Sequence, residues 1–144
     1  MKNNSTNPPE DSAVNEVYVS LRILDDRLDP PLISSRLALV PTKAYAKGQE
    51  YDSKGGSKLK HPTGNWTLTS GKMTESRSVE DHAVALLGQL AGKESVLQAL
   101  KSEGFCVSIT VWWRPKDGHG TFSLSSGTLG KLSSYGDETM FYVS

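Results

Sequence analysis

Residues 105–113 read FCVSITVWW, the longest strand-like run in the chain. Val107, Ile109, Val111 and Trp113 alternate with Cys106, Ser108, Thr110 and Trp112. One face is therefore apolar and the other mixed, the period-two pattern of a half-buried strand. Gly104 stops a helix before it and Pro115 ends it. Neighbours on a strand face opposite ways, so Trp112 and Trp113 cannot share one core. If nothing covers the second face, an exposed tryptophan there marks a contact surface.

Working outward, residues 17–24 (VYVSLRIL) repeat the pattern, with Val17, Val19, Leu21 and Ile23 on one face. They predict an opening strand, broken by Asp25 and Asp26. Asp29 as N-cap and Pro30 at the first helical position predict a short helix carrying Leu32, Ile33 and Leu37, ended by Pro41. Residues 65–70 (NWTLTS) read as another strand, with Trp66 and Leu68 on one face. Ser78 is placed as N-cap of the main helical region, Val79 to Glu103, with Asp81 completing a capping box. Gly92 bends or interrupts that region, which leaves one helix or two open, and Gly104 suits its C-terminal cap.

After the long strand, Asp117-Gly118 signals a hairpin, with Thr121–Leu124 as the returning strand. Ser125 or Ser126 caps a small helix bearing Leu129 and Leu132, closed by Gly136, and residues 139–143 (TMFYV) form the last strand. The likeness of WTLTSG at 66–71 to FSLSSG at 122–127, and of VSLRI at 19–23 to VSITV at 107–111, hints at two related half-domains. Helical units between strands with one apolar face predict an α+β fold. Its sheet is antiparallel or mixed, of five or six strands, with helices packed on one side. Residues 1–15 are rich in Asn, Ser, Pro and acid and read as a disordered tail, leaving 16–144 as a single domain.

Composition narrows function chiefly by exclusion. Sixteen basic and sixteen acidic residues give a formal net charge of zero, so there is no global basic field for nucleic acid. The single cysteine, Cys106, allows no intrachain disulfide and reads as a small packed thiol. No run approaches the ~20 apolar residues of a membrane helix. The first dozen residues have no apolar core of the secretory kind, so a cytoplasmic protein is expected.

His61, His82 and His119 fall in a loop, a helix and a turn, without a metal-ligand spacing. Asp25, Asp26 and Asp29 read as turn and cap residues rather than a catalytic cluster. No cofactor is implied. The long segment 43–64 carries five lysines from 43 to 60 against Glu50 and Asp52 and reads as an irregular loop, either solvated or anion-seeking.

Taken together, these residues resemble the bacterial domain-of-unknown-function 4279 family from about Val17 to Val143. The resemblance rests on VYVSLRI, on Leu28-Asp29-Pro30, on Leu37 to Thr42 (LALVPT) and on Lys47-Gly48. It rests further on Thr63 to Ser70 (TGNWTLTS) and on the His82-bearing helix that leads to Gly104-Phe105. The family name implies no activity. Small proteins of this kind imply a partner-binding or toxin-neutralising role.

The expectation is a non-catalytic protein-binding domain, with an immunity-type protein that neutralises a bacterial toxin as its suggested form, and with Trp112, Trp113, Trp66, Lys47, Lys54 and Lys58 as candidate contact residues. The alternative is a small-ligand or anion-binding domain built on the 43–64 loop, or a divergent enzyme. Self-pairing through an open sheet edge is a third reading.

Overall fold

The computed structural model describes residues 16–116 and 118–144. The expected tail at 1–15 and Asp117 of the turn signal lie outside the described residues. In chain order the elements are β1 (Glu16–Asp25), α1 (Pro30–Leu37), β2 (Lys43–Tyr45), β3 (Glu50–Asp52) and β4 (Lys58–Lys60). Then come β5 (Gly64–Thr69), a 3-10 turn (Ser70–Lys72), α2 (Val79–Leu90), α3 (Glu94–Ser102), β6 (Cys106–Arg114), α4 (Ser126–Tyr135) and β7 (Glu138–Val143).

Five strands form one mixed sheet in the order β2-β5-β1-β6-β7, and β3-β4 form a separate hairpin. The fold is α+β, as the alternation of apolar residues predicts. Strand β1 sits at the centre, antiparallel to both β5 and β6. β5 and β6 therefore run the same way, and α2-α3 is the crossover that joins them. β6 and β7 are parallel, with α4 between them. A parallel neighbour cannot be reached by a tight turn. That is why the expected hairpin strand at Thr121–Leu124 is absent: the segment pairs with no strand, and Phe122 and Leu124 pack on the core instead. The WTLTSG/FSLSSG likeness falls with it, since only the first of the two is a strand.

Register puts Ile23 between Trp66 and Val107, and Leu21 between Leu68 and Ile109. These side chains face the helices. With Ile33, Leu37, Leu86, Leu90, Leu97, Leu100 and Leu132 they make one core. The helical region is two helices: Gly92 at φ 83° takes a left-handed turn that an L-residue resists, and the chain restarts as α3. Ser78 caps α2 by accepting from the Asp81 N–H at 3.2 Å. Asp81 does not reach back to Ser78; its carboxylate accepts instead from Ser76 Oγ at 2.6 Å. Asp29 occupies the N-cap of α1, but its side chain makes no capping bond. Helix α1 stops before Pro41, at Ala38, which turns into the left-handed region at φ 56°.

The segment 43–64 is more ordered than a loop. β2 extends the sheet edge, and the β3-β4 hairpin is clipped to it by His61, whose ring stacks between Tyr45 (3.4 Å between centroids) and Tyr51 (4.2 Å). The sequence signal was weak because three-residue strands with exposed side chains bury no apolar period.

Candidate functional site on the uncovered sheet face

The strand residues that alternate with the core set make up the sheet's second face. Among the described residues no helix packs on it. Strand register arranges this face in rows. Tyr18, Trp112 and Tyr142 form one row; Thr69, Ser20, Thr110 and Met140 the next; Lys43, Thr67, Arg22, Ser108 and Glu138 the third. An aromatic ledge is thus followed by a band of hydroxyls and then by a charged row.

The ledge is rigid. Tyr18 stacks on Trp112 at 5.7 Å with their planes 3° apart, and Tyr142 tilts against the other side at 5.7 Å. Arg114 lies over the Trp112 ring at 5.8 Å, a cation–π contact. Burial pushes the Tyr18 hydroxyl above the ordinary tyrosine range, helped by the nearby Glu16, so it remains a proton donor at neutral pH.

Between ledge and charged row runs a groove of about 410 Å³. Among the described residues, Arg22 and Lys43 are its only charged lining side chains. Lys43 reaches over Tyr45 at 5.8 Å. Arg22 is half-buried and has no carboxylate partner among the described residues. Thr110 is 6 % exposed, and its hydroxyl has no hydrogen-bond partner. The Trp112 indole N–H is likewise unpartnered. Buried polar groups ordinarily find partners; the Thr69 hydroxyl and the Trp113 indole N–H are unpartnered in the same way. A guanidinium presents a planar fork of donors whose geometry matches a carboxylate or phosphate.

The expected contact residues part company here. Trp112 lies on the open face. Trp113 is 4 % exposed and packs edge-on against Phe122 at 5.1 Å on the helical side. Trp66 is 0 % exposed and donates Nε1–H to Ser34 Oγ at 3.0 Å. Neither Trp113 nor Trp66 can meet a partner, because each fills the core under the helices. Lys47 is paired with Asp26 at 3.1 Å and Lys58 with Asp52 at 2.9 Å, both off the groove. Lys54 sits exposed in the turn of the β3-β4 hairpin. Cys106 is exposed at the start of β6 rather than packed. Arg22, Tyr18 and Thr110 escaped the sequence reading as site residues, while Lys43 entered it only as one of the five lysines of the 43–64 segment. Their signal was present in the mixed face of the two long strands, but the partnering of two non-adjacent strands is not visible in either alone.

One Ser–His contact also emerged. Ser70 Oγ lies 2.7 Å from His82 Nδ1, and His82 Nε2 lies 2.7 Å from the Ser76 carbonyl. A carbonyl only accepts, so Nε2 carries the proton in the neutral ring and Nδ1 accepts from Ser70. Ser70 Oγ in turn accepts the Val19 N–H at 2.8 Å. Ser70 is wholly buried. The pair ties β1 to α2 beneath the surface, with His82 only 3 % exposed.

A second groove, about 550 Å³, runs between α2, α3 and α4 and is mostly apolar. Its acid, Glu94, accepts from the Tyr135 hydroxyl at 3.0 Å. Glu80 beside it accepts from the Ser125 N–H at 2.8 Å and from Thr128 Oγ1 at 2.5 Å, capping α4 from the neighbouring helix. Both acids are thus committed to structure, and Lys131, exposed on α4, is the groove's remaining charged lining residue; the sheet-face groove is preferred because it sets a half-buried guanidinium beside an aromatic ledge. Among the described residues no cluster of three or more His, Cys, Asp or Glu has metal-site geometry.

These carboxyls contribute, each modestly, to the loss of stability in acid. Glu80 is held below the ordinary range by the Thr128 hydroxyl, Glu103 by Arg36, Asp25 by Arg27, and Asp26 by Thr63 and Lys47. Each folded pKa lies below its unfolded value. The stabilisation is complete above the ordinary carboxylate range, about pH 4, and is lost as pH falls through the depressed values. Thermal unfolding should show a level Tm from pH 7 to about 5 and a progressive fall below about 4. A Tm that rises on acidification would contradict the assignment.

The fold and face define a small α+β domain with one sheet surface covered by helices and one left open. Its sequence matches the family described as Domain of unknown function (DUF4279) over residues 15–142, and the chain belongs to that family. No curated protein and no solved structure matches the chain. Among the described residues no helix is long and apolar enough to cross a membrane.

Proposed function

We propose that this is a non-catalytic binding domain of the cytoplasm that captures an acidic segment of a protein partner on its uncovered sheet face. The observation that carries the reading is Arg22, half-buried in the groove with no carboxylate partner among the described residues, beside an aromatic ledge. Tryptophan, tyrosine and arginine are the residue types that dominate binding energy when water is excluded around them. In this reading Trp112 supplies the apolar anchor, Arg22 forks onto a carboxylate, and Lys43 and the exposed Lys54 steer the partner's negative charge. An immunity-type protein that occludes a toxin is the biological role this mode of action suits.

Affinity capture with the native chain, and with Trp112→Ala and Arg22→Glu separately, tests it. Each substitution should weaken capture of the same acidic partner by about ten-fold or more, the loss expected at a hot spot. Both variants should keep the native circular dichroism. Undiminished capture by both folded variants would overturn the reading.

The groove volume supports a second reading, a small anionic ligand, since about 300–1,000 Å³ is usual for such sites. Phosphate, citrate and short dicarboxylates would then raise Tm in the native chain and leave Arg22→Glu unmoved.

A further inference from the structure

We infer that β7 is a self-association edge, and that two copies of this chain join β7 to β7 antiparallel into one continuous ten-stranded sheet. Phe141, Tyr142 and Val143 are 47 %, 46 % and 58 % exposed, three consecutive large apolar residues on a terminal strand of the sheet. The strand 138–143 (ETMFYV) has no lysine, proline or glycine. Natural edge strands are usually guarded by such residues, by bulges or by shortness. The opposite edge, β2, is guarded in this way: it is three residues long and begins with Lys43. Unprotected length on one edge only is the pattern of a closed two-fold pair rather than an open fibre.

The backbone fixes which groups are free. Asp137 donates its N–H to the Val107 carbonyl at 2.9 Å. At the other end of the strand Ser144 donates its N–H to the Trp113 carbonyl at 3.4 Å, and with the Ser108–Glu138 register this turns the N–H groups of Glu138, Met140 and Tyr142 toward β6 and those of Thr139, Phe141 and Val143 outward. Residues opposed across the new ladder must share a face and pair outward groups with outward groups. Centring the two-fold on Phe141 meets both conditions.

Phe141 then faces itself, Met140 faces Tyr142 of the second copy, and Glu138 faces Ser144. Ser144 already accepts from Arg114 Nε at 3.3 Å, so Glu138 arrives beside a guanidinium. Glu138 has no ion partner among the described residues, and Arg114 has only Glu16 at 3.6 Å. The zero net charge of the chain leaves little repulsion between copies. The axis stands perpendicular to the sheet, so both grooves come to lie on one surface with the Tyr142 ledges between them. A single strand pair buries less than the roughly 1,200 Å² of a permanent dimer. The association is therefore reversible and concentration-dependent.

Sedimentation velocity over about 1–200 µM should show monomer converting to dimer with no larger species. Thr139→Pro removes an outward donor without touching the β6 ladder and should weaken the dimer roughly ten-fold or more. The register has its own test, in a Cys106→Ser background. Phe141→Cys should form a disulfide-linked dimer under mild oxidation, because residues opposed across the axis come within disulfide reach. Thr139→Cys, opposed to Val143, should stay monomeric. A monomer at every concentration, with no crosslink through Phe141→Cys, overturns the inference. A crosslink through Thr139→Cys instead overturns the register. The measurement uses no partner or ligand, so its failure leaves the groove reading standing and the reverse also holds.

Discussion

Trp113→Ala and Trp66→Ala are each expected to lower the unfolding free energy by about 3–5 kcal/mol, and Trp112→Ala by only about 1 kcal/mol. The first two remove rings enclosed between sheet and helices, where the surrounding backbone relaxes only partly and a cavity remains. Trp66 also strands the Ser34 hydroxyl that receives its indole proton, loosening α1 from β5. Trp112 is half-buried on the open face, held by Tyr18 on one side and Tyr142 on the other. Its removal leaves an exposed gap that water fills, so the cavity term is small. Against a total stability of about 5–15 kcal/mol, the core changes bring the protein near its unfolding threshold.

Urea titration reads the difference: midpoints should fall steeply for Trp66→Ala and Trp113→Ala, slightly for Trp112→Ala, with unchanged slopes. Equal losses at positions 112 and 113 would mean that the second sheet face is buried after all. The binding reading would then lose its anchor.

That comparison marks how far the sequence alone reaches. The alternation through residues 107–113 requires that neighbouring tryptophans face opposite ways, and it identifies both central strands. It groups Trp113 with the apolar face, but it does not say what meets Trp112 on the mixed one. That depends on the partnering of β1 with β5 and β6, which places Val17 opposite Trp113 and Tyr18 opposite Trp112. Trp66 illustrates the same limit: its strand and face are legible, but burial follows from α1 crossing over β5, a contact between distant segments. Lys47 and Lys58 were legible as charge and not as pairs, because Asp26 lies 21 residues from Lys47 and the β3-β4 hairpin bears no apolar pattern. Thr121–Leu124 misled because an alternating run after a Gly-containing turn is the local signature of a hairpin. Only the parallel docking of β7 shows that its place beside β6 is taken. Local chemistry thus specified the capped helices and the long strands, while the candidate site needed strand order.

Ser70→Ala should cost about 2–4 kcal/mol and produce no loss of any chemical reactivity. The Ser70 hydroxyl is the meeting point of two buried groups: it accepts the Val19 N–H, just beyond the β1-β5 ladder, and donates to His82 Nδ1. Alanine fits the space but serves neither. An orphaned buried donor and an orphaned acceptor each cost about 1–3 kcal/mol, partly relieved by local rearrangement.

A catalytic Ser–His pair would behave differently, since its serine must reach substrate and its loss typically spares stability. The two roles separate in one experiment. The native chain, treated with a serine-reactive fluorophosphonate, should remain unlabelled at Ser70, while the alanine variant unfolds at clearly lower denaturant. Coupling supplies the finer check: in a His82→Ala background the cost of Ser70→Ala should shrink by about 0.5–2 kcal/mol, because one orphan has already been removed. Covalent labelling of Ser70 together with unchanged stability of the variant would make this pair an active centre and not a strut between β1 and α2.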